Sequence, residues 1–261
     1  RWRRDIGPAD YDINAVATDG TKAWVASSDG TLRSYAMSDG VPGTAWNLGA
    51  AATAVAVSGK YLATGTSSGV VCLRRLADGA MLHCVVATRG SITDLETSGD
   101  QLVSSSTSGA VTVWRLPSMH RLRETRISGS ANAVAIASDG TIAIASSKVP
   151  LRRTPEIAKR EAKGFQQQDP HATIVLWNGD GVQPLRGHRA AVTDVAWVDG
   201  RLLSSSWDRT VRRWSGPRST IVARFSYLVR GLASAPGIWV SCAWAVRPDQ
   251  PATQVFVSQS F

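Results

Sequence analysis

Short apolar runs, each soon broken by a glycine, recur along this chain at nearly constant spacing. The centres of these runs are Val16, Val55, Leu95, Val134, Val195 and Leu232. The intervals between them are 39, 40, 39, 61 and 37 residues, so a unit of about 40 residues repeats and one copy carries an insertion. Repetition at this period is typical of folds in which each unit buries its apolar face against its neighbours.

The fifth copy shows the pattern most completely. It predicts strands over Ala191–Trp197, Arg201–Ser206 and Thr210–Trp214, separated by polar turns at Asp199-Gly200 and Asp208-Arg209. Units of this kind, repeated six times over 261 residues, predict an all-β protein: a single β-propeller domain spanning 1–261, with six blades of four antiparallel strands. Seven blades are the alternative if residues outside this sequence add one.

The fifth copy also resembles the WD40 repeat family. It begins with Gly187-His188 and ends its third strand at Trp214, although the family's final Trp-Asp pair reads Trp214-Ser215 here. The third copy ends similarly at Trp114-Arg115 and the fourth at Trp177-Asn178. The resemblance extends over the whole chain, is closest in copy five, and implies the fold more strongly than any one function.

The resemblance further implies a hydrogen-bonded tetrad of His188, Ser204, Asp208 and Trp214. Ser, His and an acid are also the groups of a serine hydrolase. However, Ser204 falls inside a predicted strand and not on a sharp nucleophile turn. The tetrad is therefore interpreted as a structural network that fixes adjacent strands, and no catalytic residue is assigned.

The two ends of the chain are expected to meet in one blade. Copy six supplies three strands, up to about Ser258, and lacks a fourth, whereas Trp2–Ile6 forms a spare strand ahead of copy one. We expect this N-terminal strand to complete the last blade and close the ring, which removes unpaired strand edges. The chain begins with Arg1, not Met, so processing or truncation is expected to have removed residues before it.

The additional residues of copy four form an insertion over 148–172 that is expected to be partly helical. Thr154 is a suitable N-cap, Pro155 suits the first helical position and Gly164 suits the end of the helix. The segment is basic, with partner-binding candidates at Arg152, Arg153, Lys159, Arg160 and Lys163. A solvated loop that has no partner is the alternative.

The net charge of +9 indicates an acidic partner. Five of the 29 basic residues are Lys and the other 24 are Arg, the side chain that makes bidentate contacts to carboxylate or phosphate. Further partner-binding candidates are Arg121, Arg123 and Arg126 in a predicted outer strand, and Arg209 in the turn after Asp208. Coding bias towards Arg is the alternative explanation.

These observations favour a non-catalytic scaffold or structural subunit that binds other protein subunits of a larger assembly. The alternative is a peripheral RNA-contacting subunit of a ribonucleoprotein, such as a ribosome, held by contacts between Arg and phosphate. No metal-ligand cluster, phosphate-binding loop or small-molecule site is evident, so no cofactor and no enzymatic activity are expected. The apolar runs are too short for membrane insertion.

The chain contains three cysteines, Cys72, Cys84 and Cys242. Their odd number does not indicate a disulfide framework, and their spacing does not match a metal site. Cys72 and Cys84 could face each other across neighbouring strands, but all three are expected to be free thiols that pack as small apolar groups. Free thiols favour a reducing intracellular compartment, either the cytoplasm or an organelle matrix. A basic, processed N-terminus is compatible with mitochondrial import.

Overall fold

A computed structural model describes residues 12–148, 172–235, 238–244 and 253–259. All regular structure in these ranges is β-strand, and no segment of them forms a helix able to cross a membrane. The chain divides into two compact units, residues 1–126 and 127–261. Each unit contains three antiparallel sheets, which are called blades one to six in chain order.

The first unit holds blades one to three, each with its four strands in sequential order. Blade one comprises β1 (Ile13–Thr18), β2 (Lys22–Ser27), β3 (Thr31–Ala36) and β4 (Pro42–Asn47). Blade two comprises β5 (Ala52–Ser58), β6 (Tyr61–Thr66), β7 (Val70–Arg75) and β8 (Met81–Val86). Blade three comprises β9 (Ile92–Ser98), β10 (Gln101–Ser106), β11 (Ala110–Arg115) and β12 (His120–Arg126).

The second unit holds blades four to six. Blade four comprises β13 (Ser130–Ile136), β14 (Ile142–Ser147), β15 (Thr173–Trp177) and β16 (Val182–Arg186). Blade five comprises β17 (Val192–Val198), β18 (Arg201–Ser206), β19 (Thr210–Ser215) and β20 (Arg218–Arg224). Blade six comprises β21 (Leu228–Ala235), β22 (Ile238–Trp244) and β23 (Thr253–Gln259).

Burial changes systematically across a blade, as blade three shows. Strand β10 is almost wholly buried, whereas β12 is mostly exposed and, among the strands that the structure describes, pairs with β11 alone. Within the first unit β1 packs against β5 and β5 against β9; within the second, β13 packs against β17 and β17 against β21. Successive first strands thus form the inner contacts, and each fourth strand lies outermost.

A glycine permits close contact between a turn of blade two and the segment that connects blade two to blade three. Gly69 ends the turn between β6 and β7 with a φ of +80°, in the left-handed region. A Cβ at this position would lie 2.1 Å from the carbonyl oxygen of Thr88. Any side chain there would therefore push away the segment that leads from blade two into blade three.

Side chains of the first strands tie neighbouring blades together. Asn14 donates from Nδ2 to the carbonyl oxygen of Ala52 at 2.7 Å, and Asn132 donates from Nδ2 to that of Val192 at 2.8 Å. A third bond joins blades five and six, since the Thr193 hydroxyl donates to the carbonyl oxygen of Val229 at 3.1 Å. These bonds connect each blade to the next one within the same unit.

The six blades and their antiparallel strands confirm the predicted all-β propeller. Strand β14 ends at Ser147 and β15 begins at Thr173, on either side of the predicted insertion. Blade six shows three strands in the described residues, as expected. The N-terminal closing strand at 2–6 and the helix expected within 148–172 lie outside the described residues.

The expectation that Cys72 and Cys84 are free thiols is wrong. They are directly opposed on β7 and β8, with their Cα atoms 4.1 Å apart, and their sulfur atoms form a disulfide. Direct opposition in neighbouring antiparallel strands brings two side chains together on one face of a sheet. Cys242 remains a free thiol. The expectation of a reducing compartment depended on free thiols, and it stays a prediction without that basis.

Candidate functional site

Blade five contains a continuous chain of hydrogen bonds among the four residues of the tetrad. His188 lies just before β17, Ser204 lies in β18, Asp208 follows β18 and Trp214 lies in β19. His188 Nδ1 is 2.8 Å from Asp208 Oδ2, and His188 Nε2 is 2.7 Å from Ser204 Oγ. Trp214 Nε1 lies 2.8 Å from the same Ser204 Oγ.

The chemistry of these groups fixes the direction of each hydrogen bond. An ionised Asp208 only accepts, so His188 donates from Nδ1. A neutral imidazole then accepts at Nε2, which receives the hydroxyl proton of Ser204. The indole of Trp214 is a donor only, and Ser204 Oγ accepts its proton. The chain therefore runs from Trp214 through Ser204 and His188 to Asp208 with every link satisfied.

Asp208 is held by more than its histidine. Its Oδ1 accepts from the Thr210 hydroxyl at 2.6 Å and from the Thr210 backbone amide at 3.0 Å, and its Oδ2 accepts from the Arg189 amide at 3.1 Å. Burial by itself would raise the pKa of Asp208, but the hydrogen bonds from His188, Thr210 and Arg189 together with the interaction of the carboxylate with His188 outweigh it and lower that pKa to about 2. The carboxylate is therefore ionised at neutral pH.

His188 is neutral in the same network. Burial lowers its pKa below the usual 6.5, and the nearby charge of Arg212 lowers it further, whereas Asp208 opposes the shift. The side chain is only 1% exposed. A neutral imidazole agrees with the donor and acceptor roles assigned above.

Burial decides what this constellation can do. The hydrogen bonds connect Ser204 to His188 and His188 to Asp208, as in the catalytic triad of a serine hydrolase. However, Ser204 is 0% exposed, and its oxygen already accepts the Trp214 proton. The Ser204 hydroxyl is therefore not exposed to solvent in the structure, and the hydrogen bonds of the tetrad connect the His188 loop, β18 and β19.

Blade three has half of this network. Trp114 donates from Nε1 to Ser104 Oγ at 2.9 Å, like the equivalent pair in blade five. Thr88 and Ser108 stand at the positions of His188 and Asp208, and their hydroxyls lie 2.8 Å apart. Blade three therefore keeps two separate short links where blade five has one continuous chain.

The three basic candidates of the first unit lie together on β12, as the sequence indicated. Arg121 forms an ion pair with Glu124 at 2.8 Å, and its side chain is 63% exposed. Arg126 donates from Nη1 to the carbonyl oxygen of Ser108 at 2.8 Å. Arg123, between them, is half-buried and has a polar contact of its own. The strand thus presents a basic outer edge that contains one acidic residue.

The remaining basic candidates do not form one described surface with β12. Arg209 belongs to the second unit, where it adopts a φ of +68° in the turn between β18 and β19. Its Nε is buried and has no hydrogen-bond partner among the described residues. The candidates of the insertion, namely Arg152, Arg153, Lys159, Arg160 and Lys163, lie outside the described residues.

Sequence reasoning missed an open cavity of about 510 Å³ between blades four and five. Leu176 and Leu185 line it from blade four, and Trp197, Leu202 and Trp214 line it from blade five. The sequence feature that could have indicated this cavity is the length of one turn, because the turn after Trp214 is two residues shorter than the turn after Trp114. No group of His, Cys, Asp or Glu able to hold a metal ion occurs in the part of the chain that the structure describes.

Fold and network together define the class: an all-β propeller whose blades follow one repeat. A family model described as "WD domain, G-beta repeat" (WD40) matches residues 179–215, which include His188, Ser204, Asp208 and Trp214. The chain is therefore an all-β propeller, and this stretch of it is similar to the WD40 repeat.

Comparison with solved structures supports the fold alone. The crystal structure of the computationally designed Ika8 protein matches with a TM-score of 0.62 at 17% sequence identity. The match covers 93% of this chain and 86% of the Ika8 chain. No curated protein sequence matches this one.

Proposed function

We propose that this protein is a non-catalytic scaffold that binds other protein subunits within a larger assembly. WD40 propellers are generally protein-interaction scaffolds. The observation that carries the proposal is the contrast between the sealed tetrad of blade five and the exposed basic edge of β12. The buried tetrad connects the strands of blade five, whereas Arg121 and Arg126 are exposed on β12.

The β12 edge suits an acidic protein surface. Among the described strands it pairs with β11 alone, which leaves its outer side for a partner. In the pair between Arg121 and Glu124 the two side chains are 63% and 35% exposed, and such surface pairs contribute at most about 1 kcal/mol. A partner carboxylate with better geometry can therefore displace Glu124 at little cost, and Arg121 can bind it bidentately.

RNA is the second candidate, because the same arginines could bind phosphate. The high basic charge of the chain favours such contacts, and binding through phosphates weakens steeply with salt. Peripheral binding to a ribonucleoprotein would therefore use the same strand for a different partner. The two candidates differ in whether RNA is needed to keep the protein in its assembly.

Sedimentation of the protein at its natural level in gently prepared extracts separates these outcomes. The chain alone has a mass of 27.8 kDa. We expect sedimentation well above that mass, unchanged by ribonuclease treatment. Collapse after ribonuclease would favour the RNA-contacting subunit, and sedimentation as a free 27.8 kDa species in both conditions would contradict any stable assembly.

Charge reversal tests the role of β12 within the assembly. Arg121→Glu, Arg123→Glu and Arg126→Glu together should release the protein from the heavy fractions, because three attractive contacts become repulsive. The matched control reverses three exposed basic residues elsewhere, Lys60, Arg186 and Arg224. Equal release by both triples would indicate a general charge effect and would remove β12 as the binding edge.

A further inference from the structure

The cavity between blades four and five exists because a turn is short. Residues of blade three and blade five correspond at a constant offset of 100 positions, from Ile92 and Val192 to Pro117 and Pro217. The pairing is the same in both, since Leu102 pairs with Trp114 and Leu202 with Trp214. After the proline, however, blade three has two more residues before its outer strand.

Those residues decide whether the space beside the tryptophan is filled. In blade three Leu116 and Met119 are 7% and 5% exposed, and both pack into the cluster that contains Leu102 and Trp114. Blade five has Gly216 at the position of Leu116 and no residue at that of Met119. A Cβ placed on Gly216 would meet no atom within 4 Å. The 510 Å³ cavity therefore occupies the place that Leu116 and Met119 fill in blade three.

We propose that this cavity binds an acidic segment of a partner protein, which inserts two aliphatic side chains three residues apart. The turn of blade three shows that a Leu and a Met at this spacing fit against the same Leu and Trp framework. The proposal deepens the scaffold function and rests on it, because it names the chemistry of one partner. Burial of two aliphatic side chains supplies affinity, and their spacing supplies specificity.

Charge determines the kind of segment. Arg201 and Arg213 are among the residues that line the cavity, and no acidic residue of the described ranges lines it. Arg201 is exposed and forms no ion pair with a described carboxylate. Arg218, the first residue of β20, is also exposed beside the short turn. Acidic residues on either side of the aliphatic pair would therefore bind here more favourably than basic ones.

A labelled peptide, Glu-Asp-Leu-Pro-Ser-Met-Glu-Asp, serves as the probe for fluorescence anisotropy with the purified full chain. It carries the aliphatic pair of blade three between acidic residues. We expect it to bind at least about tenfold more tightly than a peptide with Ala at both aliphatic positions. A version with Lys in place of Glu and Asp should bind more weakly still. Equal binding of the acidic probe and the Ala peptide would overturn the proposal.

Two protein variants locate the binding in the cavity. One replaces Ser215-Gly216-Pro217 with the Arg-Leu-Pro-Ser-Met turn of blade three and should abolish binding, since the new Leu and Met fill the space. The other is Arg201→Glu, an exposed change expected to leave the fold intact and weaken binding by about tenfold. Lys60→Glu, in the matching turn of blade two, is the control and should bind the probe normally. Unchanged binding by both cavity variants would also overturn the proposal.

Indole signals give a direct readout of the occupied site. The ¹⁵N-labelled indoles of Trp197 and Trp214 should shift on titration with the probe, whereas that of Trp24 in blade one should not.

Concentration-dependent dimerisation that disappears in the turn replacement would instead identify a second copy of this chain as the occupant, and would overturn the proposal. If the wild type sediments in a heavy assembly but the probe fails, the scaffold function stands and the cavity proposal falls. If the probe binds but the protein sediments alone, the scaffold function is the part that fails.

Discussion

Blades three and five share one backbone plan but are held together differently. Blade five joins His188, Ser204, Asp208 and Trp214 in one buried polar chain. Blade three keeps only the separate pairs of Ser104 with Trp114 and Thr88 with Ser108. Conversely, blade three fills the space beside its tryptophan with apolar side chains, and blade five leaves it open.

The difference shows that the repeat fixes strand positions without fixing how each blade is stabilised. A complete polar chain rigidifies a blade because every member is satisfied in a medium of low dielectric constant. Apolar packing achieves the same result through area removed from water. In blade five the shorter turn after β19 leaves the apolar contact incomplete, so the cavity there stays open.

The largest effect is expected when the apolar stabilisation of blade three is removed. Met119→Ala should lower the free energy of unfolding by about 3 kcal/mol, because truncation of a buried side chain loses transfer energy and leaves a cavity. Urea denaturation measures the change. Leu122→Ala, on the exposed face of β12, is the control and should cost less than about 1 kcal/mol. Equal losses in the two variants would mean that Met119 does not fill the space as argued.

Removal of the charged end of the polar chain should have the next largest effect. Asp208→Ala should cost about 2 kcal/mol, since it leaves His188 Nδ1 and the Thr210 groups without an acceptor in a buried site. Ser108→Ala, at the matching position of blade three, should cost about 1 kcal/mol, because only hydroxyl pairs are lost. Thermal unfolding of both variants provides the comparison.

The control for this pair is Asp199→Asn, which removes an exposed carboxylate in another turn of blade five and keeps a side chain that tolerates the φ of +47° at this position. This substitution should leave the melting temperature almost unchanged. A loss in Asp208→Ala no larger than that in Asp199→Asn would show that the tetrad does not stabilise the protein.

Much of the fold could be predicted because it depends on local pattern. The strand limits of blade five follow from apolar runs separated by polar turns that contain Gly or Asp. The structure places the ends of β17, β18 and β19 within one residue of the predicted limits. The positions of the tetrad members came from the family resemblance, and the observed distances depend on strand pairing that repeats in every blade. Arg121, Arg123 and Arg126 were assigned to an outer strand because a fourth strand was required after Trp114.

The remaining features depend on packing between residues that are distant in sequence or on small differences in length. The disulfide between Cys72 and Cys84 requires direct opposition across β7 and β8, which a count of cysteines cannot show. The bond from Asn132 to Val192 joins residues 60 positions apart. The cavity arises because one turn is two residues shorter. Its effect can be inferred only by comparison with blade three, where Leu116 and Met119 fill the corresponding space.

The smallest expected effect is on the pH dependence of the free energy of unfolding, to which the polar chain of blade five contributes and the hydroxyl pairs of blade three do not. The folded pKa of His188 lies below its unfolded value near 6.5, so the unfolded state binds more protons as pH falls and stability decreases below that value. The free energy of unfolding should therefore decrease progressively as the pH falls below about 6.5. The folded pKa of Asp208, about 2, lies below the usual 3.8, so its contribution is complete above about 4 and is lost as pH falls towards 2. Both changes have the same sign.

Unfolding free energies of the wild type, His188→Gln and Ser108→Ala measured at pH 7, 5.5 and 3 isolate this effect. His188→Gln should be less stable at pH 7, but its stability should change less between pH 7 and 5.5, because no imidazole titrates in the network. Ser108→Ala should follow the wild-type slope, since the hydroxyl pairs of blade three do not titrate in this range. Other carboxylates, such as Asp19 with its pKa lowered to about 2, contribute equally to all three proteins at low pH, so differences between the curves report on blade five. Parallel curves for the wild type and His188→Gln above pH 5 would show that His188 is not held neutral by burial.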